Sequence, residues 1–152
     1  MKNSAKFAVA IHTLLIFAMD EKTSGRDKLS SRHAALSVNT NPVVIRRILG
    51  LLKKSGLVIV NPGSNGAVLT RKPREISLRD IYLAVKREED SIFKLHEKNS
   101  PTCPIGSKIN IVLRKKLTRV EKNMENDLAE IYLSDIINSV VRMGEKNAGN
   151  GL

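Results

Sequence analysis

Apolar and polar positions follow a helical pattern in the middle of the chain. Asn41 is a favoured N-cap, and Pro42 suits the first helical position, whose N–H has no partner in any case. Ser55 and Gly56 end the pattern, because glycine takes the left-handed conformation at a helix C-terminus at little cost. One face is apolar: Val44, Ile45, Ile48, Leu49, Leu51 and Leu52. The other carries Val43, Arg46, Arg47, Gly50, Lys53 and Lys54, so the segment has the character of a DNA recognition helix.

Two more helices are predicted before it. Residues 4–19 place apolar side chains at helical spacing, and the polar residues 20–28 indicate a connector. Ser30 or Ser31 can cap a short helix that ends near Ser37. Because a turn at 38–40 then leads into the cationic helix, the pattern favours a helix-turn-helix.

A hairpin is predicted after the cationic helix. Residues 57–60 are β-branched or apolar, 61–66 are dense in turn residues, and 67–70 return as a second strand. A hairpin in this place is the wing of a winged helix. Ser77 caps a further helix that runs through Val85.

The C-terminal part predicts a linker and a long helix. Residues 88–102 lose periodicity. The longest helical pattern starts at Ile105, and its apolar stripe steps by 4, 4, 3, 4 and 4 residues. The stripe consists of Ile109, Leu113, Leu117, Val120, Met124 and Leu128. It has no partner of comparable length in its own chain, so we expect it to pair with a second copy. Packing against the N-terminal domain is the alternative.

These elements define a fold class that is mainly α with a small β-hairpin. We expect a winged helix-turn-helix DNA-binding domain over 1–87, a linker over 88–104 and dimerisation helices over 105–143. The last of these is a short helix from Leu133 to Val141, and 144–152 are expected to form a disordered tail.

Charge favours a polyanionic partner. The 152 residues carry 26 Lys and Arg against 15 Asp and Glu, a formal charge of +11. Residues 41–80 hold eight basic side chains (Arg46, Arg47, Lys53, Lys54, Arg71, Lys72, Arg74, Arg79) against Glu75 and Asp80. Double-stranded DNA fits this cluster, because neutralising phosphates releases counterions; a solvated basic surface is the alternative. Trp is absent, which argues against a single-strand binder.

Chemistry-bearing residues are few. The single cysteine, Cys103, excludes an intramolecular disulfide framework and suits a reducing cytoplasm, and no apolar run reaches membrane-spanning length. Cys103 lies at the expected N-terminus of a helix, where the dipole and the free N–H groups lower a thiol pKa, so it is the redox candidate; a small buried hydrophobe is the alternative. His12, His33, His96 and Cys103 lack a recognised ligand spacing. We therefore expect no metal, no cofactor and no catalytic site.

The expected DNA contacts follow from where each residue lies in the predicted helices and hairpin. Asn39, Thr40, Asn41, Pro42 and Val43 lie at the tip that enters the major groove first. Arg46 and Arg47 are candidates for guanine, with phosphate clamping equally open, and Lys53 and Lys54 reach only the backbone. Ser30, Ser31 and Arg32 can bind phosphate at the start of the preceding helix. Ser64 and Asn65 are candidate contacts in the wing.

The chain resembles the Rrf2 family of bacterial winged-helix transcription factors, in its single-cysteine branch. The resemblance rests on 4–12, 38–47, 51–58, 62–67, 76–82 and the motif Cys103-Pro104-Ile105-Gly106. It implies a homodimer joined by its long helices, with two winged helices on a near-palindromic operator. Residues 4–141 take part in it.

Two departures from the family pattern narrow this expectation. Cluster-binding members carry three cysteines about six residues apart, but counting back from Cys103 gives Glu97 and Ser91. One thiolate cannot hold an ordinary iron–sulfur cluster, so we expect none. The wing also has Pro62 where the family commonly has arginine, which places more of the specificity on residues 39–54.

Three hypotheses remain open from the sequence. The first is a dimeric, sequence-specific transcriptional regulator, more in keeping with a repressor because a compact dimer can occlude a promoter. The second is the same scaffold as a switch that responds to an oxidant or a small ligand through Cys103. The third is a basic winged helix that mediates protein or RNA contacts.

Overall fold

The computed structural model describes residues 3–20, 29–60 and 66–149. The helices are α1 (Asn3–Asp20), α2 (Ser31–Val38), α3 (Pro42–Lys54), α4 (Leu78–Val85), α5 (Ile109–Ala129) and α6 (Leu133–Gly149). The strands β1 (Val58–Val60) and β2 (Ala67–Leu69) pair antiparallel, with Ile59 opposite Val68, and a 3₁₀ turn follows at Pro73–Glu75. The expected class, mainly helical with a small hairpin, is confirmed.

Side-chain caps fix where the helices of the N-terminal part begin. Ser30, not Ser31, caps α2, since its Oγ accepts the N–H of His33 at 3.4 Å. Asn41 caps α3 by accepting the N–H of Val43 at 2.9 Å. Ser77 caps α4 in a reciprocal box in which Asp80 accepts the N–H of Ser77 at 3.1 Å. Each cap satisfies donors that a helix end would otherwise leave unpaired.

One core joins α1, α2, α3, the hairpin and α4. Its largest fully buried side chains include Leu14, Phe17, Ile45, Ile48, Leu52, Leu57, Ile76 and Ile81. Burial of a side chain of this size contributes about 1.5–3 kcal/mol. This core holds the apolar face of α3 inward and therefore turns its cationic face outward.

The start of α6 also belongs to this core, which the sequence pattern does not predict. Leu133 and Ile137 are buried in it. Ile131 accepts the N–H of Leu78 at 2.8 Å, and Ile76 accepts the N–H of Leu133 at 2.8 Å. The chain thus leaves the N-terminal part through α5 and returns to it at α6.

The long helix is present as one element but begins at Ile109 rather than Ile105. Residues 101–108 form turns instead, and Gly106 lies among them at a close approach, since a Cβ there would be 2.7 Å from the carbonyl oxygen of Ser100. No residue of α5 is buried. Its apolar stripe is half-exposed, and Val120 is 46% exposed.

The last helix is longer than expected. It continues to Gly149, so the expected end at Val141 is wrong, and so is the expected disordered tail for residues 144–149. Val140 and Val141 continue the helical pattern, and a single glycine, Gly144, costs about 1 kcal/mol, too little to end it. Residues 150–152 lie outside the described part. None of the described helices is long and apolar enough to cross a membrane.

Candidate nucleic-acid interface

Three residues connect α2 to α3 and set the angle of the second helix. Asn39 adopts a left-handed conformation (φ 55°), which Asn tolerates better than most residues. Thr40 then donates its N–H to the carbonyl of Ala35 at 2.9 Å. Asn41 follows as the N-cap of α3. The short turn and the two helices confirm the predicted helix-turn-helix.

The outward face of α3 carries the predicted cations. Arg46, Arg47, Lys53 and Lys54 are all exposed. Successive residues of an α-helix are rotated by about 100°, so Arg46 and Arg47 lie on opposite flanks of this face. Arg47 borders the half-buried Val44 and Leu51, whereas Arg46 lies on the flank of Lys53. The pair is therefore not interchangeable.

The N-terminal tip of α3 is open to solvent. Asn39 and Asn41 are exposed, Val43 is 41% exposed, and Thr40 and Pro42 are half-buried. Because the Asn41 side-chain oxygen already caps Val43, its amide NH₂ is the group left for an outside acceptor. The tip thus offers donors and one apolar side chain.

The start of α2 offers less than predicted. Ser31 is 7% exposed, so a side-chain phosphate contact from Ser31 is a prediction that its burial contradicts. Ser30 is half-buried, and its Oγ lies 3.0 Å from Nδ1 of His33. Arg32 is exposed, and its phosphate contact stays a prediction.

The hairpin is present where the wing is expected, but Ser64 and Asn65 lie outside the described residues. At its base Thr70 donates to the carbonyl of Gly56 at 2.6 Å and ties β2 to the end of α3. Arg71 is bound internally: it donates to the carbonyl of Glu75 and lies 3.6 Å from the Asp80 carboxylate. It is therefore less free to meet phosphate than the charge count suggested.

Cys103 is exposed and lies in the turns before α5, not at the helix N-terminus. The predicted direction of its pKa shift holds, but the N–H groups that cause it belong to these turns and not to a helix end. The backbone N–H groups of Gly106 and Ile105 point at the thiol and lower the pKa of Cys103 below its ordinary value. Hydrogen bonds of this kind stabilise the thiolate.

Two groups of residues come together in the structure although the sequence pattern does not predict their contacts. Lys6, Arg87 and Asp90 line a cavity beside α3 together with Arg47. Lys86 and Glu125 join α4 to α5. Because these residues lie 39 or more positions from at least one partner, no local periodicity connects them. The sequence shows only that these side chains are charged.

A helix-turn-helix with a cationic outer helix and a hairpin directly after it defines a winged helix-turn-helix DNA-binding protein. A model of the Rrf2 family, described as an iron-dependent transcriptional regulator, matches residues 3–139. The chain belongs to the Rrf2 family. It is a DNA-binding transcriptional regulator, not an enzyme.

Comparison with individual relatives supports this family assignment. YwnA of Bacillus subtilis, provisionally assigned as an HTH-type transcriptional regulator, is 44% identical over 135 residues, which cover 89% of this chain and 96% of YwnA. A crystal structure of a protein provisionally assigned as DNA-binding is 40% identical, covers 87% of this chain and 98% of its own, and has a TM-score of 0.70. The cysteine regulator CymR of B. subtilis shares the fold at 21% identity, with 88% and 93% of the two chains covered and a TM-score of 0.57.

The family description raises the question of iron. Among the described residues no group of three or more His, Cys, Asp or Glu side chains could hold a metal ion. The ring of His12 is bonded to Ser37, and that of His33 to Ser30. Ser91 and Glu97 line a cavity of about 370 Å³ against α5, but Cys103 does not. These donors do not fit an iron–sulfur cluster, which takes about four ligands, mostly thiolates.

Proposed function

We propose that the protein binds a near-palindromic operator as a homodimer and represses transcription from the promoter it occupies. The observation that carries this proposal is the exposed, cationic and N-capped face of α3, presented by the helix-turn-helix. Its tip fits the major groove, where side chains distinguish base pairs, and its flanking cations fit phosphates.

The dimer part rests on α5 and α6. The 21 residues of α5 span about 31 Å, yet none of them is buried. Large apolar side chains of both helices are exposed: Val112, Val120, Val140, Val141 and Met143. A second copy of the same helices would cover them, and twofold symmetry would place two α3 helices on half-sites about 34 Å apart.

The test is selection of binding sites from random duplexes, followed by footprinting and sedimentation. We expect a protected inverted repeat, two chains per site and reduced transcription in vitro. Val120→Glu should shift the protein to monomer and weaken operator binding, whereas Thr118→Glu, the same charge change on an exposed position of α5, should not. A monomer on a single half-site would refute the dimer, and no protected repeat would favour the protein or RNA module.

A redox switch is a second candidate, supported by the exposure of Cys103 and its lowered pKa. The Cys103 thiolate attacks a small disulfide, one mixed disulfide forms and one thiolate leaves. Operator affinity measured with and without oxidised glutathione should then change in the native protein and not in Cys103→Ser. An unchanged operator affinity in both proteins would rule out the redox switch and indicate constitutive DNA binding.

A further inference from the structure

A cavity lies directly beside the recognition helix. Its volume is about 310 Å³, it is open to solvent on one side, and α1, α3 and the segment after α4 line it with Lys6, Val44, Arg47, Ile48, Leu51, Arg87 and Asp90. Sites for small molecules begin at about 300 Å³. The cavity is therefore large enough for a compact ligand.

The charges of its wall are not balanced. Lys6, Arg47 and Arg87 face one carboxylate, Asp90, so the formal sum is +2. Asp90 accepts the backbone N–H of Arg87 at 3.2 Å and lies 3.9 Å from the Lys6 ammonium, and the Lys6 and Asp90 side chains are only 13% and 18% exposed. That pair is thus held in place and neutralises Lys6.

The two guanidinium groups remain. Within the described parts of the chain neither Arg47 nor Arg87 has a carboxylate within salt-bridge distance of its side chain. A guanidinium presents a planar fork that matches a carboxylate with two hydrogen bonds. Two such groups on the wall of one cavity make it suited to an anion.

The α3 side of the cavity is apolar. Ile48 is buried, and Val44 and Leu51 are half-buried beside it. An inorganic anion would leave these side chains facing water, whereas a ligand with a small hydrocarbon body would cover them. The wall therefore selects for a molecule with one charged end and one apolar end.

We propose that this cavity binds a small organic monocarboxylate. Its carboxylate pairs with Arg47 and Arg87, and its apolar body packs against Val44, Ile48 and Leu51. The consequence for DNA rests on the proposed function: because Arg47 belongs to both the cavity wall and the outer face of α3, an occupied cavity withdraws a cation from DNA and lowers operator affinity.

Binding is tested first without DNA. Isovalerate, hexanoate, benzoate and inorganic phosphate are titrated into the full chain by calorimetry, with benzamide as the neutral counterpart of benzoate. We expect at least one carboxylate to bind with a Kd of about 1 mM or tighter and benzamide to bind at least tenfold more weakly than benzoate. Equal binding of benzamide, no binding of any carboxylate, or phosphate binding as tightly as the best carboxylate would overturn the proposal.

Variants locate the site. Arg87→Gln should weaken carboxylate binding at least tenfold, and Arg142→Gln, an exposed arginine on α6 outside the cavity, should leave it unchanged. Both positions are exposed, and unchanged melting temperatures without ligand would show that both variants fold. Equal affinities of the two variants would place the ligand elsewhere.

DNA-binding measurements then distinguish failure of the carboxylate site from failure of the proposed function. The best carboxylate should reduce operator affinity of the native protein at least threefold and have no effect on Arg87→Gln. If carboxylate binds and depends on Arg87 while no specific DNA site exists, the cavity site stands and the operator proposal fails. If Arg87→Gln weakens only DNA binding, the cavity cations serve the phosphate backbone and the carboxylate site is refuted.

Discussion

Lys86, at the end of α4, lies 3.3 Å from the Glu125 carboxylate on α5 and so joins the DNA-binding part to the long helix. The same ammonium lies 5.4 Å from the centre of the Tyr82 ring, which meets Phe7 of α1 edge-on at 5.5 Å. One turn earlier on α5, Glu121 accepts the side-chain O–H of Ser91 and the N–H of Ile92 at 3.0 Å each. These contacts connect α1, α4 and the segment after α4 to the long helix α5.

Glu125→Gln should destabilise the fold by about 1–2 kcal/mol, because a partly buried charge-assisted hydrogen bond is lost. The measurement is urea unfolding at neutral pH. Glu97→Gln is the matched control: its partner Arg114 lies 3.9 Å away and both side chains are more than 60% exposed (74% and 67%), so we expect less than about 0.5 kcal/mol. Equal losses in the two variants would contradict the role of Glu125.

The same junction predicts sensitivity to alkali. Burial lowers the pKa of Lys86, but Tyr82, Glu125 and Glu121 outweigh it and raise the pKa above the ordinary 10.5. A raised pKa means that the stabilisation is complete at neutral pH and is lost as the pH rises through the folded-state value. The unfolding free energy should therefore fall more steeply above the ordinary pKa of 10.5 in the native protein than in Lys86→Met. Parallel curves would contradict this.

Two variants of Asn41 test its contribution to stability and its contribution to DNA recognition separately. Asn41→Ala should cost about 1 kcal/mol of stability, since the cap of α3 is lost. Asn41→Asp keeps a capping oxygen and should retain stability, but it places a carboxylate at the tip that faces DNA. We expect operator affinity to drop at least tenfold in Asn41→Asp with an unchanged melting temperature; a preserved affinity would remove Asn41 from the interface.

Arg47→Ala tests which part of DNA the flanking arginine meets. Because Arg47 lies on the flank of Lys6 and Arg87, we expect an equal loss on operator and random DNA and a salt slope reduced by about 1. Titrations at several salt concentrations measure both quantities. A loss of about 1–3 kcal/mol confined to the operator would assign Arg47 to a base instead.

Gly50 lies on the outer face of α3, and a Cβ there would meet no atom of the described chain within 4 Å. Gly50→Ala should therefore stabilise the protein by about 0.5–1 kcal/mol. If the groove wall approaches the helix at this position, the added methyl group should weaken operator binding while the melting temperature rises. A higher melting temperature with unchanged affinity would show that DNA does not come close to Gly50.

Gly106 controls the thiol. A Cβ at this position would lie 2.7 Å from the carbonyl oxygen of Ser100, so Gly106→Ala should move the N–H groups that lower the pKa of Cys103. We expect a higher thiol pKa, measured by thiolate absorbance, and slower reaction with a disulfide reagent. Gly144→Ala is the control, because an added Cβ there would meet no atom of the described residues within 4 Å, and it should react as the native protein does.

The elements that could be predicted from the sequence are those that local interactions determine. The helix-turn-helix, the hairpin and the caps at Ser30, Asn41 and Ser77 depend on residues within a few positions of one another, and composition and spacing record such interactions directly. The same holds for the outward cations of α3, since the apolar positions fix which face is buried. The start of α5 at Ile109 was not predicted, because an apolar stripe shows which face of a helix is buried and not the residue at which the helix begins.

The sequence by itself determined the helix-turn-helix and the hairpin after it, the cationic face of α3 and the family. Only the tertiary structure decided that α6 returns to the core through Ile131 and Ile76, that Lys86 meets Glu125, and that Lys6, Arg47 and Arg87 surround one cavity. Contacts of this kind join residues far apart in the chain. They follow from how whole helices pack, which no local pattern of apolar and polar residues records.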